Sequence, residues 1–178
     1  METQNQTANR TYLTGMFADR ESAEKAYNTL HERGYQKDDI NLVMSDETRK
    51  KHFSDSVGET EIGTKAAEGA GKGSAIGITI GAIAGAIAAI GTTLAIPGLG
   101  LVIAGPIAAA VAGAGAGGVT GGLIGALVGA GIPEERARIY EKGVKDGHIV
   151  VGVHPRNDED TTYLENNWKE NRAVDIYR

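Results

Sequence analysis

The 178-residue chain has no cysteine, which removes disulfides and thiolate chemistry and fits a reducing compartment. It is short of positive charge. Lysine and arginine number 18 against 23 acidic residues, giving a net charge of -5 and a pI of about 5.4. A sequence-independent grip on nucleic acid is therefore not expected. Aromatic residues are absent between Phe53 and Tyr140, and no Asp, Glu, Lys, Arg or His occurs in the 61 residues from Gly73 to Pro133. The opening "METQNQTANR" lacks the basic-then-apolar order of a secretory signal, and residues 1–10 read as a disordered tail.

What fills the uncharged stretch is glycine, alanine and isoleucine. Of 26 glycines, 21 lie between Gly58 and Gly131. Gly69, Gly73, Gly77, Gly81 and Gly85 form one ladder at intervals of four, and Gly113, Gly117, Gly121, Gly125 and Gly129 form a second. A glycine costs a helix interior roughly 1 kcal/mol relative to alanine. Residues four apart share a helix face, so each ladder predicts a groove in which another backbone approaches closely. Pro97-Gly98 supplies a turn between two arms, about Ala66 to Leu94 and about Pro106 to Gly131. The expectation is an apolar glycine-zipper helical hairpin over residues 66–132, with the ten ladder glycines as its self-association surface.

Each arm, at roughly 37 Å of helix, is long enough for a bilayer core of about 30 Å. Lys65, Lys72, Arg136 and Arg138 would keep both flanks in the cytoplasm. The lack of an aromatic belt and the acidic Glu61, Glu68, Glu134 and Glu135 argue instead for a soluble homo-oligomer or filament with hairpins as its common core. The expected placement is the inner membrane facing the cytoplasm, with lipid and other copies of the chain as partners; the alternative is the cytoplasm, with the hairpins buried in a soluble assembly of copies. The polar halves look too small to wrap two such arms.

Those halves, residues 11–60 and 133–178, read as one split α+β domain. "TYLTGMF" and "DINLVMS" are strands around a helix that Asp19 caps, Gly34 ends, and Ala23, Ala26, Tyr27 and Leu30 stripe. A helix "PEERARIYEKGVKD" stops at Gly147. A strand "HIVVGVHP", a helix from about Asp158 to Glu170 and a strand "AVDIY" then form a second β-α-β unit. An offset of 137 aligns Gly15 with Gly152 and Gly34 with Asn171, the latter as a second left-handed cap. The expected fold is a ferredoxin-like βαβ–βαβ sandwich interrupted by the hairpin.

Catalytic chemistry is not expected. "EGAGKGS" fails the phosphate-loop pattern at both ends, and Gly113, Gly115 and Gly118 match G-x-G-x-x-G only within a glycine-rich tract. His31, His52, His148 and His154 show no metal-ligand spacing. "NDEDTT" lacks the glycine and glutamate of a calcium loop, so Asp158 or Asp160 reads as a helix cap. Trp168 reads as packing. No enzyme, cofactor or metal is expected. A small-ligand regulatory module is the rival of another class, and it would need a polar pocket near Gly15, Gly152 or His154.

"YLTGMFADRESAEKAYNTLHERGYQKDDINLVMS", the glycine-zipper middle and "GIPEERARIYEKGVKDGHIVVGV" together resemble the bacterial general-stress, heat-induced protein family. The resemblance runs from Tyr12 to about Val153, with the closing "AVDIYR" also fitting. It implies a non-enzymatic stress-response protein with a βαβ-type domain, and it brings no catalytic residues.

Overall fold

Two helices of equal length show how the polar halves are built. In the computed structural model, which describes residues 12–57, 83, 94–96, 100–113 and 122–178, helix α1 spans Arg20–Glu32. The Asp19 side chain accepts the Ser22 N–H at 2.9 Å to start it. Helix α6 (Asp158–Glu170) starts in the same way, with Asn157 accepting the Asp160 N–H at 2.7 Å. The cap is therefore the carboxamide ahead of the acidic run, not Asp158 or Asp160. Both helices close alike: Tyr35 N–H reaches the Leu30 carbonyl, and Ala173 N–H reaches that of Trp168.

These equivalences (Asp19 with Asn157, Leu30 with Trp168) fall at an interval of 138 residues, one more than the sequence alignment suggests. The slip has consequences. The left-handed position after α6 is Arg172, at φ 61°, matching Gly34 at φ 84°. Asn171 is an ordinary C-cap at φ -87°. Gly15 and Gly152 are not equivalents either. A Cβ at Gly15 would stand 2.7 Å from Trp168 Cε3, whereas one at Gly152 would stand 2.7 Å from Tyr12 Cε1, on the other side of the sheet.

That sheet has six strands: β1 (Leu13–Phe17), β2 (Ile40–Ser45), β3 (Leu94–Ile96), β4 (Leu101–Ala104), β5 (Ile149–Val153) and β6 (Asp175–Tyr177). The order is β3-β4-β2-β5-β1-β6, and every neighbouring pair is antiparallel. Alternation sends Leu13, Phe17, Ile40, Leu42, Met44 and Val151 to one face, where α1, α6 and Phe53 of α2 (Asp46–Val57) cover them. Met16, Val43, Ile103 and Val150 point to the other face. There they meet α3 (Pro106–Gly113), α4 (Gly122–Gly129) and α5 (Glu134–Lys145). The molecule is thus a mixed α+β protein with a helical layer on each face of its sheet.

Three features differ from the sequence reading. Helix α2 carries no apolar periodicity, and of its residues 46–53 only Thr48 and Phe53 are buried. Strands β3 and β4 stand on either side of Pro97-Gly98 and extend the sheet beyond β2. The second arm is not one helix. Gly122 sits at φ 61°, a left-handed conformation that a right-handed helix cannot pass through, so α4 starts anew there. Ile107, Ala108, Leu123 and Leu127 all join the apolar cluster on this face of the sheet. The domain does cover this part of the insertion, although its polar halves look small for the task. Among the described residues no helix is long and apolar enough to cross a membrane.

Candidate functional site

Helix α4 shows what the second ladder does. Leu123, Ala126 and Leu127 are buried against the sheet layer, which fixes one side of the helix. At 100° per residue, Gly125 and Val128 lie opposite that side, with Gly129 next to Gly125 and Gly122 on the flank. Gly129 is exposed, a Cβ there would meet nothing within 4 Å, and Val128 is 43% exposed. Gly129 is therefore not used in packing among the described residues, whereas Gly122 and Gly125 are half-buried.

Two buried polar side chains of the domain hold the insertion. Asn41 on β2, 2% exposed, accepts the Ile107 N–H at 2.6 Å through its Oδ1. It thereby caps α3, since neither Gly105 before the helix nor Pro106 at its start offers a side-chain acceptor. Glu24 on α1, 3% exposed, accepts the Ile83 N–H at 3.3 Å through Oε2 while its Oε1 lies 3.3 Å from Arg20 Nε. Arg20 in turn donates to the His52 carbonyl and stands 4.8 Å over the Phe53 ring. Ile83 is fully buried in the core that includes Tyr27 and Phe53, whereas Ile107 is buried on the opposite face of the sheet. At these points the two arms straddle the sheet and do not face one another.

The Asn41 contact is part of an uneven polar row. Asn41 pairs with Gly152, and Gly152 pairs with Thr14. The Thr14 hydroxyl lies 2.5 Å from that of Tyr140 on α5, and burial pushes the Tyr140 phenol up to about 12. The Tyr12 hydroxyl and the Asn41 Nδ2 are buried there without a partner among the described residues. The face under α1 and α6 carries no such row.

A second cluster joins the C-terminal end of α1 to the N-terminal end of α6. Asp160 Oδ2 accepts the Tyr35 hydroxyl and Arg156 Nε, each at 2.8 Å, while Arg33 Nη2 lies 3.0 Å from Oδ1. Burial alone would push this carboxyl up. The hydrogen bonds from Tyr35 and Arg156 and the charges of Arg156 and Arg33 outweigh it and hold the group below the usual carboxylate range. Saturated with donors, Asp160 is an anchor and not a base. Arg33 also stands 4.3 Å over the Tyr163 ring and borders an open depression of about 510 Å³ lined by Asp158, Glu159, Thr162 and Asn166.

Of the ten ladder glycines, Gly113, Gly125 and Gly129 fall within the described helices. Gly69, Gly73, Gly77, Gly81, Gly85, Gly117 and Gly121 lie outside the described residues. His148 and His154 flank β5, and His154 stacks edge-on against Tyr12 at 4.5 Å. Trp168 is fully buried against Phe17. Among the described residues no group of three or more His, Asp or Glu could hold a metal ion. Asn41 and Glu24 escape sequence reasoning because their partners lie 66 and 59 residues away and only the fold brings them together. No protein-family model matches this chain, and no curated protein or solved structure matches it either.

Proposed function

We propose that this chain is a non-enzymatic structural protein of the bacterial stress-response type, in which a glycine-rich insertion serves as a self-association element on an α+β domain. The observation that carries the reading is α4, whose apolar side is buried in its own core while Gly129 lies open at the surface beside the exposed Val128. A helix pays the conformational cost of glycine for close approach of another backbone. The partner we infer is a second copy of the chain, whose own α4 presents the same surface.

The domain itself we read as ferredoxin-like. Supporting this, the order β6-β1-β5-β2 is antiparallel throughout, and α1 and α6 lie on one face at corresponding positions of two β-α-β units. A second reading, insertion into the inner membrane with the domain in the cytoplasm, is favoured by the 61 residues without charge from Gly73 to Pro133.

Sedimentation velocity of the full chain with Gly129→Leu tests the first reading. A Cβ at Gly129 meets nothing within 4 Å, so the fold should persist while assemblies dissociate. An unchanged size distribution would refute the reading. Retention in the membrane pellet after an alkaline carbonate wash would favour the second.

A further inference from the structure

The two borders of the sheet are finished differently. Strand β3 runs directly into Pro97, which has no N–H to offer. Strand β6 contains neither proline nor lysine, and its one charge, Asp175, is held within the chain by Arg136 at 2.7 Å. Among the described strands nothing pairs with its outer side. Which of its backbone groups face outward follows from the ladder. Val174 N–H donates to the Met16 carbonyl at 2.7 Å, so the polar groups of Met16 turn to β6 and those of Gly15 to β5. The bond of Asp46 N–H to the Gly100 carbonyl, toward the far border, fixes the same alternation through β4, β2, β5 and β1. Asp175 and Tyr177, opposite Met16 and Thr14, therefore direct their N–H and C=O groups to β1. Ile176 between them directs both of its own away from the sheet.

We propose that this border pairs with the same border of a second copy of the chain, antiparallel and centred on Ile176. Each Ile176 N–H then donates to the Ile176 carbonyl of the other copy. The side chains fit this register. Asp175 of each copy comes opposite Tyr177 of the other, with Cβ atoms about 4.5–5.5 Å apart. Arg136 already stands 5.1 Å over its own Tyr177 ring, so each guanidinium gains a second carboxylate beside it. The row of two Arg136 and two Asp175 side chains is neutral. On the other face the two Ile176 side chains meet, each half-buried against the core under α1 and α6. A foreign strand would have to bring its own acid and apolar residue at this spacing, whereas a second copy supplies both by symmetry. The contact makes no use of α4, so it stands or falls separately from the surface proposed on that helix. Where both contacts form, each copy offers two separate faces and assembly continues beyond a dimer.

Amide exchange of the full-length wild-type chain, read by NMR over a concentration series beside sedimentation velocity, tests it. The Ile176 amide should exchange freely in dilute solution and slow by about tenfold or more as copies associate, while Asp175 and Tyr177 stay protected throughout. Ile176→Lys and Ile176→Glu set like charges opposite one another, and each should raise the dimer dissociation constant by about tenfold or more. Mixed in equal amounts, the two variants should associate with each other, because opposite charges then meet across the two-fold. Association of the wild type without slowing at Ile176 refutes the contact, as does a mixture that binds no more tightly than either variant alone. A chain that stays monomeric at millimolar concentration refutes a second copy as the occupant. Gly129→Leu separates this contact from the one on α4. Protection of Ile176 should survive in that variant, and its loss there overturns a separate strand contact. Association that Gly129→Leu abolishes, with Ile176 exchanging freely in the wild type, keeps the α4 surface and overturns this one. The wild-type exchange decides the matter alone if the Ile176 variants fail to fold.

Discussion

One substitution made at two glycines should give opposite signs. At Gly129 a new methyl group meets nothing within 4 Å and replaces the poorest non-proline helix former by the best. Gly129→Ala should therefore stabilise the separated chain by up to about 1 kcal/mol. At Gly15 the methyl group would lie 2.7 Å from Trp168 Cε3 and 3.1 Å from Phe17 Cε2, and both rings are fully buried. Overpacking of this kind costs about 1–3 kcal/mol. Removing a strand glycine returns about 0.5–1 kcal/mol, which leaves Gly15→Ala less stable by up to about 2.5 kcal/mol. In a domain of this size each kcal/mol moves the melting midpoint by about 2–4 °C. Urea titration followed by fluorescence measures both changes, because Trp168 is the single tryptophan. Two outcomes would contradict these signs. A destabilised Gly129→Ala in dilute solution would mean that some part of the same chain packs on the ladder. A neutral Gly15→Ala with unchanged emission would mean that Trp168 does not sit over β1.

Two further expectations concern titration and the inter-unit anchor. Burial raises the folded-state phenol of Tyr12, then that of Tyr27 with help from the Glu24 charge, and that of Tyr140 to about 12. Below pH 10 these groups are neutral whether folded or unfolded. Above it the unfolded chain loses protons first, so stability should fall by about 1.4 kcal/mol per pH unit for each tyrosine. Tyr140→Phe should make that alkaline limb shallower in urea midpoints taken from pH 9 to 12. Asp160 behaves in the reverse sense: its depressed folded value supplies stability above the unfolded carboxylate range that is lost as pH falls through the folded value. Asp160→Asn should cost about 2–3 kcal/mol at pH 7 and flatten the acid limb, and an unchanged acid limb would place the anchor elsewhere.

Where local chemistry decides the outcome, the sequence was readable. The stripe Ala23, Ala26, Tyr27, Leu30 and the cap Asp19 specify α1, and the bounds of α6 agree with the sequence reading although its cap is Asn157 and its left-handed position is Arg172, not Asn171. Strands β1, β2 and β5 show alternation or continuous apolar character over five or six residues. Helix α2 was hidden because it is polar nearly all round and rests on Thr48 and Phe53. Strands β3 and β4 were hidden for a different reason. "LAIPGLGLVIA" is a short apolar run, and periodicity cannot separate a buried strand from a buried helix in so few residues. The ladders were plain as a pattern, yet the break at Gly122 depends on what Leu123 and Leu127 can reach across space. The clasps Asn41 and Glu24 look like ordinary surface residues until their distant isoleucines are in place.

The position of β4 carries a consequence for anyone who would trim the chain. Residues 58–132 look like an appendage that could be excised to leave a tidy βαβ–βαβ core. Yet β4 pairs along Leu42–Ser45 of β2, and Ile103, Ile107, Leu123 and Leu127 belong to the apolar cluster that buries Val43. Excision would turn β2 into a six-residue border with unpaired N–H and C=O groups beside a stripped apolar surface. Such a border templates uncontrolled aggregation. The apparent decoration is what keeps the remainder from sticking to its own kind.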